Sequence, residues 1–228
     1  MKRLIIFDLD DTFYEYESTH KSALEKVFQV QNSFDDYQEF YKNYENTKQQ
    51  IQNILVDNPS RHSKLIYFKK LFWGMLNTRE IIELENVYWE EFIRNAKIDI
   101  ESINTLKEKK DQNNIYFLFT NQNLYVQLKK IDSWGLNFFD KIITSEEVGF
   151  EKPTKEFFNY SEKFVKKFVE QSFSVFAIGD SYENDIEYWT TNYKAKGYQI
   201  DNKNEIMIKE KMLIKTNFRN AILDIYAE

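Results

Sequence analysis

The chain has 228 residues, 42% hydrophobic and 30% charged, with 20 Phe and 15 Tyr. That is bulk enough for one large core, or a core with one inserted module, and it excludes a chain disordered over most of its length. With 31 basic against 37 acidic residues the net charge is −6, without the basic excess that a binder of nucleic-acid polymers needs.

There is no Cys, which excludes disulfides, thiolate metal sites and a cysteine nucleophile. Two His, His20 and His62, argue against a His-rich metal centre or a His-dependent triad, and both read as surface or packing residues. No apolar run reaches the roughly 18–20 residues of a bilayer span. The four apolar residues after Met1-Lys2-Arg3 are too few for a signal peptide. The expectation is a cytoplasmic protein, monomer or homodimer, with no membrane partner.

Leu4-Ile5-Ile6-Phe7 is a short continuous apolar run, the pattern of a strand buried on both faces. The next stretch, about 16–95, reads as helix upon helix: Ala23, Val27, Val30; Phe40, Tyr44; Leu65, Phe68, Leu71, Phe72; Ile82, Val87, Phe92. Residues 57–60 (Asp-Asn-Pro-Ser) are a loop inside it. The aromatic stripes Tyr37, Phe40, Tyr41, Tyr44 and Phe68, Phe72, Trp73 read as internal packing, one or two of them free to line a pocket.

Beyond residue 96 strands and helices alternate. Ile103 and Leu106 mark a helix ending in a solvated run, 107–110. A strand follows at 115–119, then a helix on Leu124, Leu128 and Ile131, a strand at 142–143, a helix on Phe157, Phe158, Phe164 and Phe168, and a strand at 173–178. The tail adds strands near 198–200 and 212–214 and a helix over about 218–226. Such alternation predicts an α/β fold, a Rossmann-like parallel sheet flanked by helices, with residues 1–15 and 96–228 forming the core and 16–95 an all-helical insertion.

Four polar clusters fall at or near strand ends, where open parallel sheets hold ligands. They are Asp8-Leu9-Asp10-Asp11-Thr12, Thr120-Asn121, Glu151-Lys152-Pro153, and Gly179-Asp180-Ser181 with Asn184-Asp185. Any one could be a helix cap or turn; four in series are hard to obtain from capping alone. Two carboxylates about 4 Å apart repel by roughly 4 kcal/mol at an effective dielectric of about 20. Asp8, Asp10, Asp180 and Asp185 brought together would therefore need a cation beyond Lys152, or would hold protons at neutral pH. All-oxygen ligation points to Mg²⁺. Metal and lysine together suit a phosphorylated substrate, with a carboxylate as nucleophile.

The segment Leu4-Ile5-Ile6-Phe7-Asp8-Leu9-Asp10-Asp11-Thr12 resembles the first signature of the haloacid dehalogenase-like (HAD) hydrolase superfamily. Thr120-Asn121, Lys152-Pro153 and Gly179-Asp180-Ser181-x-x-Asn184-Asp185 resemble its second, third and fourth signatures, in order. The helical insertion corresponds to a C1-type cap. Residues 145–158 (SEEVGFEKPTKEFF) are similar to the pyrimidine 5′-nucleotidase-like branch.

The resemblance implies an Mg²⁺-dependent phosphomonoester hydrolase. Asp8 would be the nucleophile that forms an aspartyl-phosphate, and Asp10 the general acid and then base. Thr120, Asn121 and Lys152 would bind the phosphate. Asp8, the Asp10 backbone carbonyl and Asp180 would hold the metal, with Asp185 supporting from behind. Asp11 would face away and Thr12 support the loop.

The expected substrate is a small phosphorylated metabolite, a nucleoside 5′-monophosphate first. A sugar-phosphate or phosphoglycolate-type phosphatase is the alternative. A 2-haloacid dehalogenase is disfavoured because Asp10 puts a proton donor where a halide leaving group needs none. A catalytically silent interaction module is disfavoured because all four signatures are present. Gln122 stands where the family often has Gly, and 186–193 is bulkier than the family's usual helix there.

Overall fold

Leu4, Ile5 and Phe7 are fully buried, so the first strand, β1 (Arg3–Phe7), has no solvent-facing side. A strand apolar on both faces requires a neighbour on each edge and helices above and below. The computed structural model, which describes residues 1–56, 58–203, 207–210 and 212–227, supplies both. Its seven-stranded sheet runs β3 (Lys141–Thr144), β2 (Asn114–Thr120), β1, β4 (Ser174–Gly179), β5 (Lys196–Ile200), β7 (Leu213–Thr216) and β6 (Ile208–Glu210).

Every pairing is parallel except that of β6 with β7. The expected α/β fold is the observed one. The three-residue β6, too short to leave a pattern, is the strand that the sequence reading lacks.

Alternation along β1 divides the interior. Ile5 and Phe7 join Ile103 and Leu106 of α5 (Ile100–Lys109) and Phe218, Ile222 and Ile225 of α10 (Phe218–Ala227). Leu4 and Ile6 join Phe157, Phe158 and Val165 of α8 (Lys155–Glu170) and Trp189 of α9 (Glu187–Tyr193). The bulky segment after Asp185 is thus a packing element, with Tyr188 stacked on Phe158 at 4.2 Å between ring centroids.

Between β1 and α5 lie α1 (Tyr16–Val30), α2 (Tyr37–Ile54), a 3₁₀ turn (Pro59–His62), α3 (Lys64–Leu71) and α4 (Thr78–Asn95). Local chemistry sets their starts. Asp36 and Ser63 accept from the third backbone N–H beyond them, and Asn77 and Glu80 form a reciprocal capping box. Val27, Phe40, Tyr44, Phe68, Phe72 and Phe92 pack together between the helices. His20 is a packing residue, its Nδ1 2.6 Å from Tyr88 Oη. Trp73, expected inside, is 73% exposed, and Val30, Leu65 and Ile82 also face outward. Of the loop expected at 57–60, Asn58 caps the 3₁₀ turn that begins at Pro59, and Asp57 lies outside the described residues.

In α6 (Leu124–Ser133) the expected apolar stripe is rotated. Leu128 is exposed, and Val126, Gln127, Lys130 and Ile131 form the buried side. Lys107, Glu108 and Lys109 are solvated as expected, but the Lys110 ammonium pairs with Asp140. Among the described residues no helix is long and apolar enough to cross a membrane.

Candidate active site

Asp8 follows β1, Thr120 ends β2 and Asp180 follows β4, three adjacent strands of the sheet. The chain crosses from β1 to β2 on one side and reaches β4 on the other, so the crevice of the sheet opens at these carboxyl ends. Asp8 N–H donates to Ile178 O at 2.8 Å, extending the β1–β4 ladder by one residue and fixing the carboxylate at the crevice. The chain then turns through Asp11 at φ +58°, a left-handed conformation that Asp tolerates better than most residues.

Lys152 reaches the same point from the loop between the short helix α7 (Ser145–Val148) and α8. Asn121 holds that loop from both sides: its Nδ2 donates to Lys152 O at 2.8 Å, and Lys152 N–H donates to its Oδ1 at 2.7 Å. Lys152 Nζ, almost wholly buried, donates to Asp8 Oδ1 at 2.8 Å, Asp185 Oδ1 at 2.6 Å and Phe119 O at 2.7 Å. All three ammonium protons are therefore committed.

Asp185 lies in a π-helical turn (Tyr182–Ile186), with its Oδ2 accepting from Ser181 N–H at 3.1 Å. Its carboxylate presses on the backbone of Gly179: a Cβ there would sit 2.3 Å from Asp185 Oδ2. Glycine is the residue that permits this approach.

One carboxylate oxygen each from Asp8, Asp180 and Asp185 lies within 4.8 Å of the others. Burial raises the Asp8 pKa well above the usual carboxylate range; Lys152 opposes the shift, and Asp185, Asp180 and Asp10 add to it. Burial, then Asp185 and Asp11, push Asp180 up to about 7. Three carboxylates against one fully engaged lysine form an under-compensated knot, and this oxygen-only donor set fits a hard divalent cation.

The Asp10 carboxylate is not part of that trio. Its Oδ1 accepts from Lys130 Nζ and from the Tyr14 hydroxyl, and its Oδ2 from Gln127 Nε2 at 2.9 Å. Burial would raise its pKa, but Lys130 and these hydrogen bonds hold it below the usual carboxylate value. Lys130 is itself fully buried, with its ammonium over the rings of Tyr14, Trp89 and Phe92.

Thr120 is fully buried and its Oγ1 accepts from Gln127 Nε2 at 2.7 Å, so its own proton remains free to donate. Gln122 is buried and its side chain accepts from Asn123 N–H at 3.0 Å.

A cavity of about 210 Å³ opens over this arrangement. Asp8, Asp10, Asn121, Lys152, Asp180 and Asp185 line it, whereas Thr120 does not. Asp11, expected to face away, lines it as well, as do Asn184 and, from the helical region, His62. The sequence reading missed Tyr14, Gln127, Lys130 and His62, and placed Asn184 in the fourth cluster without a role. A signal existed for two of them: Gln127 and Lys130 stand three apart on the same stripe as Ile131, a polar pair on the buried side of a helix.

The profile of the haloacid dehalogenase-like hydrolases matches residues 2–188. The chain is 26% identical over 194 residues to ribulose-1,5-bisphosphate 5-phosphatase of Halopiger xanaduensis, covering 82% of this chain and 80% of that protein. It is 28% identical over 195 residues to glyceraldehyde 3-phosphate phosphatase of Methanocaldococcus jannaschii, covering 80% and 78%. Among solved structures, the HAD-hydrolase YfnB of Bacillus subtilis, bound to magnesium, superposes with a TM-score of 0.66 at 20% identity over 100% of this chain and 99% of that one. A 2-haloacid dehalogenase of Pseudomonas syringae gives 0.65 at 15% identity over 99% and 100%, a likeness of fold. With the profile spanning most of its length, this chain belongs to the haloacid dehalogenase-like hydrolase family.

Proposed function

We propose that the chain is an Mg²⁺-dependent phosphomonoester hydrolase that works through an aspartyl-phosphate on Asp8, with short sugar phosphates as its substrates. The convergence of Asp8, Asp180 and Asp185 around Lys152 at the carboxyl ends of β1 and β4 carries this reading. Asp8, the Asp10 backbone carbonyl and Asp180 would hold the metal, and the Asp185 carboxylate stands as near as the other two. When bound, Mg²⁺ supplies positive charge to the carboxylates and to the phosphate.

The chain's own residues do the rest. An Asp8 carboxylate oxygen attacks phosphorus as the bond from phosphorus to the leaving oxygen breaks, and Asp10 gives its proton to that oxygen. Water then attacks phosphorus, the Asp8–phosphorus bond breaks, and Asp10 takes the proton of the water. The three donors around Asp10 suit its ionised form, the base of the second step. Its acid form accepts fewer donors, so the first step needs Asp10 partly out of this cage. Lys152 opposes the rise that burial gives the Asp8 pKa and brings positive charge to the phosphate, Asn121 fixes the Lys152 loop, and Thr120, buried outside the lining, anchors Gln127 by accepting from its amide.

Residues 16–95 act as a C1-type cap on the core formed by residues 1–15 and 96–228. Support comes from His62, which reaches the cavity from that segment.

Cavity size favours sugar phosphates over the nucleoside monophosphate expected first. About 210 Å³ is below the roughly 300 Å³ at which pockets for drug-sized ligands begin. Tyr, Phe and Trp are absent from its described lining, where the His62 imidazole is the one ring. The names of the two phosphatase relatives agree with this choice. A screen of phosphorylated metabolites with and without Mg²⁺, with Asp8→Asn as blank, tests it. Mg²⁺-dependent release of phosphate from triose to pentose phosphates is expected. Turnover by Asp8→Asn equal to that of the parent would sink the mechanism, and faster hydrolysis of nucleotides would sink the substrate choice.

A further inference from the structure

The 3₁₀ turn Pro59–His62 brings His62 to the cavity, the one residue of the helical region in the described lining. This turn is held firmly. Pro59 is buried, Asn58 Oδ1 accepts from Ser60 N–H at 2.9 Å, and the Tyr67 hydroxyl donates to Arg61 O. Behind His62 stands Glu151, the buried neighbour of Lys152 in sequence. His62 Nε2 lies 2.8 Å from Glu151 Oε1, and Arg61 Nη1 lies 3.7 Å from Glu151 Oε2. Even so, His62 Nε2, Glu151 Oε1 and Arg61 Nε make no hydrogen bond, the close imidazole–carboxylate approach being out of line for one. On the phosphate side, by contrast, all three Lys152 ammonium protons are committed, and Asn121 Nδ2 donates to Lys152 O.

We propose that His62, backed by Glu151 and Arg61, is a specificity-determining residue that recognises a carbon-bound hydroxyl of the substrate beyond its phosphoester. The inference rests on the phosphomonoesterase reading and narrows its substrate to polyhydroxylated esters. A hydroxyl both donates and accepts, so it fits His62 whichever form the imidazole takes, giving a proton to a neutral ring or accepting one from a charged ring. Of these three side chains only His62 lines the cavity, and a plain alkyl chain would leave its imidazole without a substrate partner.

The test compares kcat/KM for glycerol 1-phosphate and propyl phosphate, which differ only in hydroxyls, with Mg²⁺ present. The parent protein is expected to favour the glycerol ester by about tenfold or more, since a site built for a hydroxyl rejects the analogue lacking it. His62→Ala and Glu151→Gln should each bring that ratio within about threefold of unity, chiefly by raising KM for the glycerol ester. His62→Gln, which keeps a polar group in place, should retain part of the ratio and guards against a misfolded alanine variant.

Equal use of both esters by the parent, or an equal loss on both in the variants, overturns the proposal. A parent that hydrolyses neither these esters nor 4-nitrophenyl phosphate overturns the phosphomonoesterase reading itself, and this inference with it.

Discussion

Lys130, with no exposed surface, gives its charge to Asp10 and to no other carboxylate among the described residues. The pair joins the last turn of α6 to the turn after β1, two segments 120 residues apart. Its effect is to keep Asp10 ionised despite burial.

Lys130→Met should therefore leave Asp10 without its counter-charge. The cost expected at neutral pH is about 2 kcal/mol, below the ~3–5 kcal/mol of a fully buried pair because the Asp10 side chain keeps 24% exposure. The sign follows from a folded-state pKa lower than the unfolded one. Stabilisation by the pair is present above the unfolded value of about 3.9 and is lost as pH falls through the lower folded value. Urea unfolding of parent and variant at pH 7 and at pH 3 should show the gap narrowing at the acid end. A constant gap would mean that Lys130 matters for packing only.

Gly179→Ala probes the other side of the site. The new Cβ would overlap the Asp185 carboxylate, and the contact is with a group already held by Lys152 and Ser181, so Asp185 must move. Displacing a carboxylate beside a metal cluster should weaken Mg²⁺ binding by about 10- to 100-fold. Isothermal titration of parent and variant measures it directly. Unchanged affinity would separate Asp185 from the metal site.

The sheet and the acidic knot were legible because each rests on a local signal. Leu4 to Phe7 is apolar at every position, and Asp8, Lys152 and Asp180 each follow a strand or open a helix. What escaped depends on which way a helix face turns. Leu128 and Lys130 both fit helical spacing, and hydrophobicity alone assigns Leu128 inward; the structure reverses them because Asp10 and three aromatic rings offer Lys130 a partner and a cage. His62 escaped for a related reason. Its place in the cavity comes from the packing of the 3₁₀ turn against Glu151, a contact across 89 positions that no local pattern encodes.

The metal itself should be visible in stability. A cation that binds only the folded chain stabilises it by mass action, about 2.7 kcal/mol at 100 times the Kd. Mg²⁺ should therefore raise the melting temperature of the parent protein by several degrees. Asp180→Asn, which removes one of the three converging carboxylates, should melt higher than the parent in chelator and gain little from added Mg²⁺. An equal Mg²⁺-induced shift in both proteins would remove Asp180 from the ligand set.

Lys64 gives the clearest dependence on pH. It is 4% exposed, its Nζ donates to the Tyr16 hydroxyl at 3.1 Å, and the rings of Tyr16, Tyr67 and Tyr88 surround it. Among the described residues no carboxylate pairs with it. Burial, with the charges of Lys48 and Lys130, lowers its pKa from 10.5 to about 7. Below pH 7 the amine is charged in both folded and unfolded chains, and the folded state bears the full cost of burying it. Between pH 7 and 10.5 the unfolded chain holds a proton that the folded one has released, so the cost fades by up to about 1.4 kcal/mol per pH unit. Lys64→Met keeps the length of the side chain and removes the charge. It should stabilise the protein at pH 6–7, and the gain should shrink towards pH 10. Denaturant midpoints across that range decide the matter: a variant less stable at pH 6.5, or a gain that grows with pH, would mean that the aromatic cage favours the ammonium over an apolar chain.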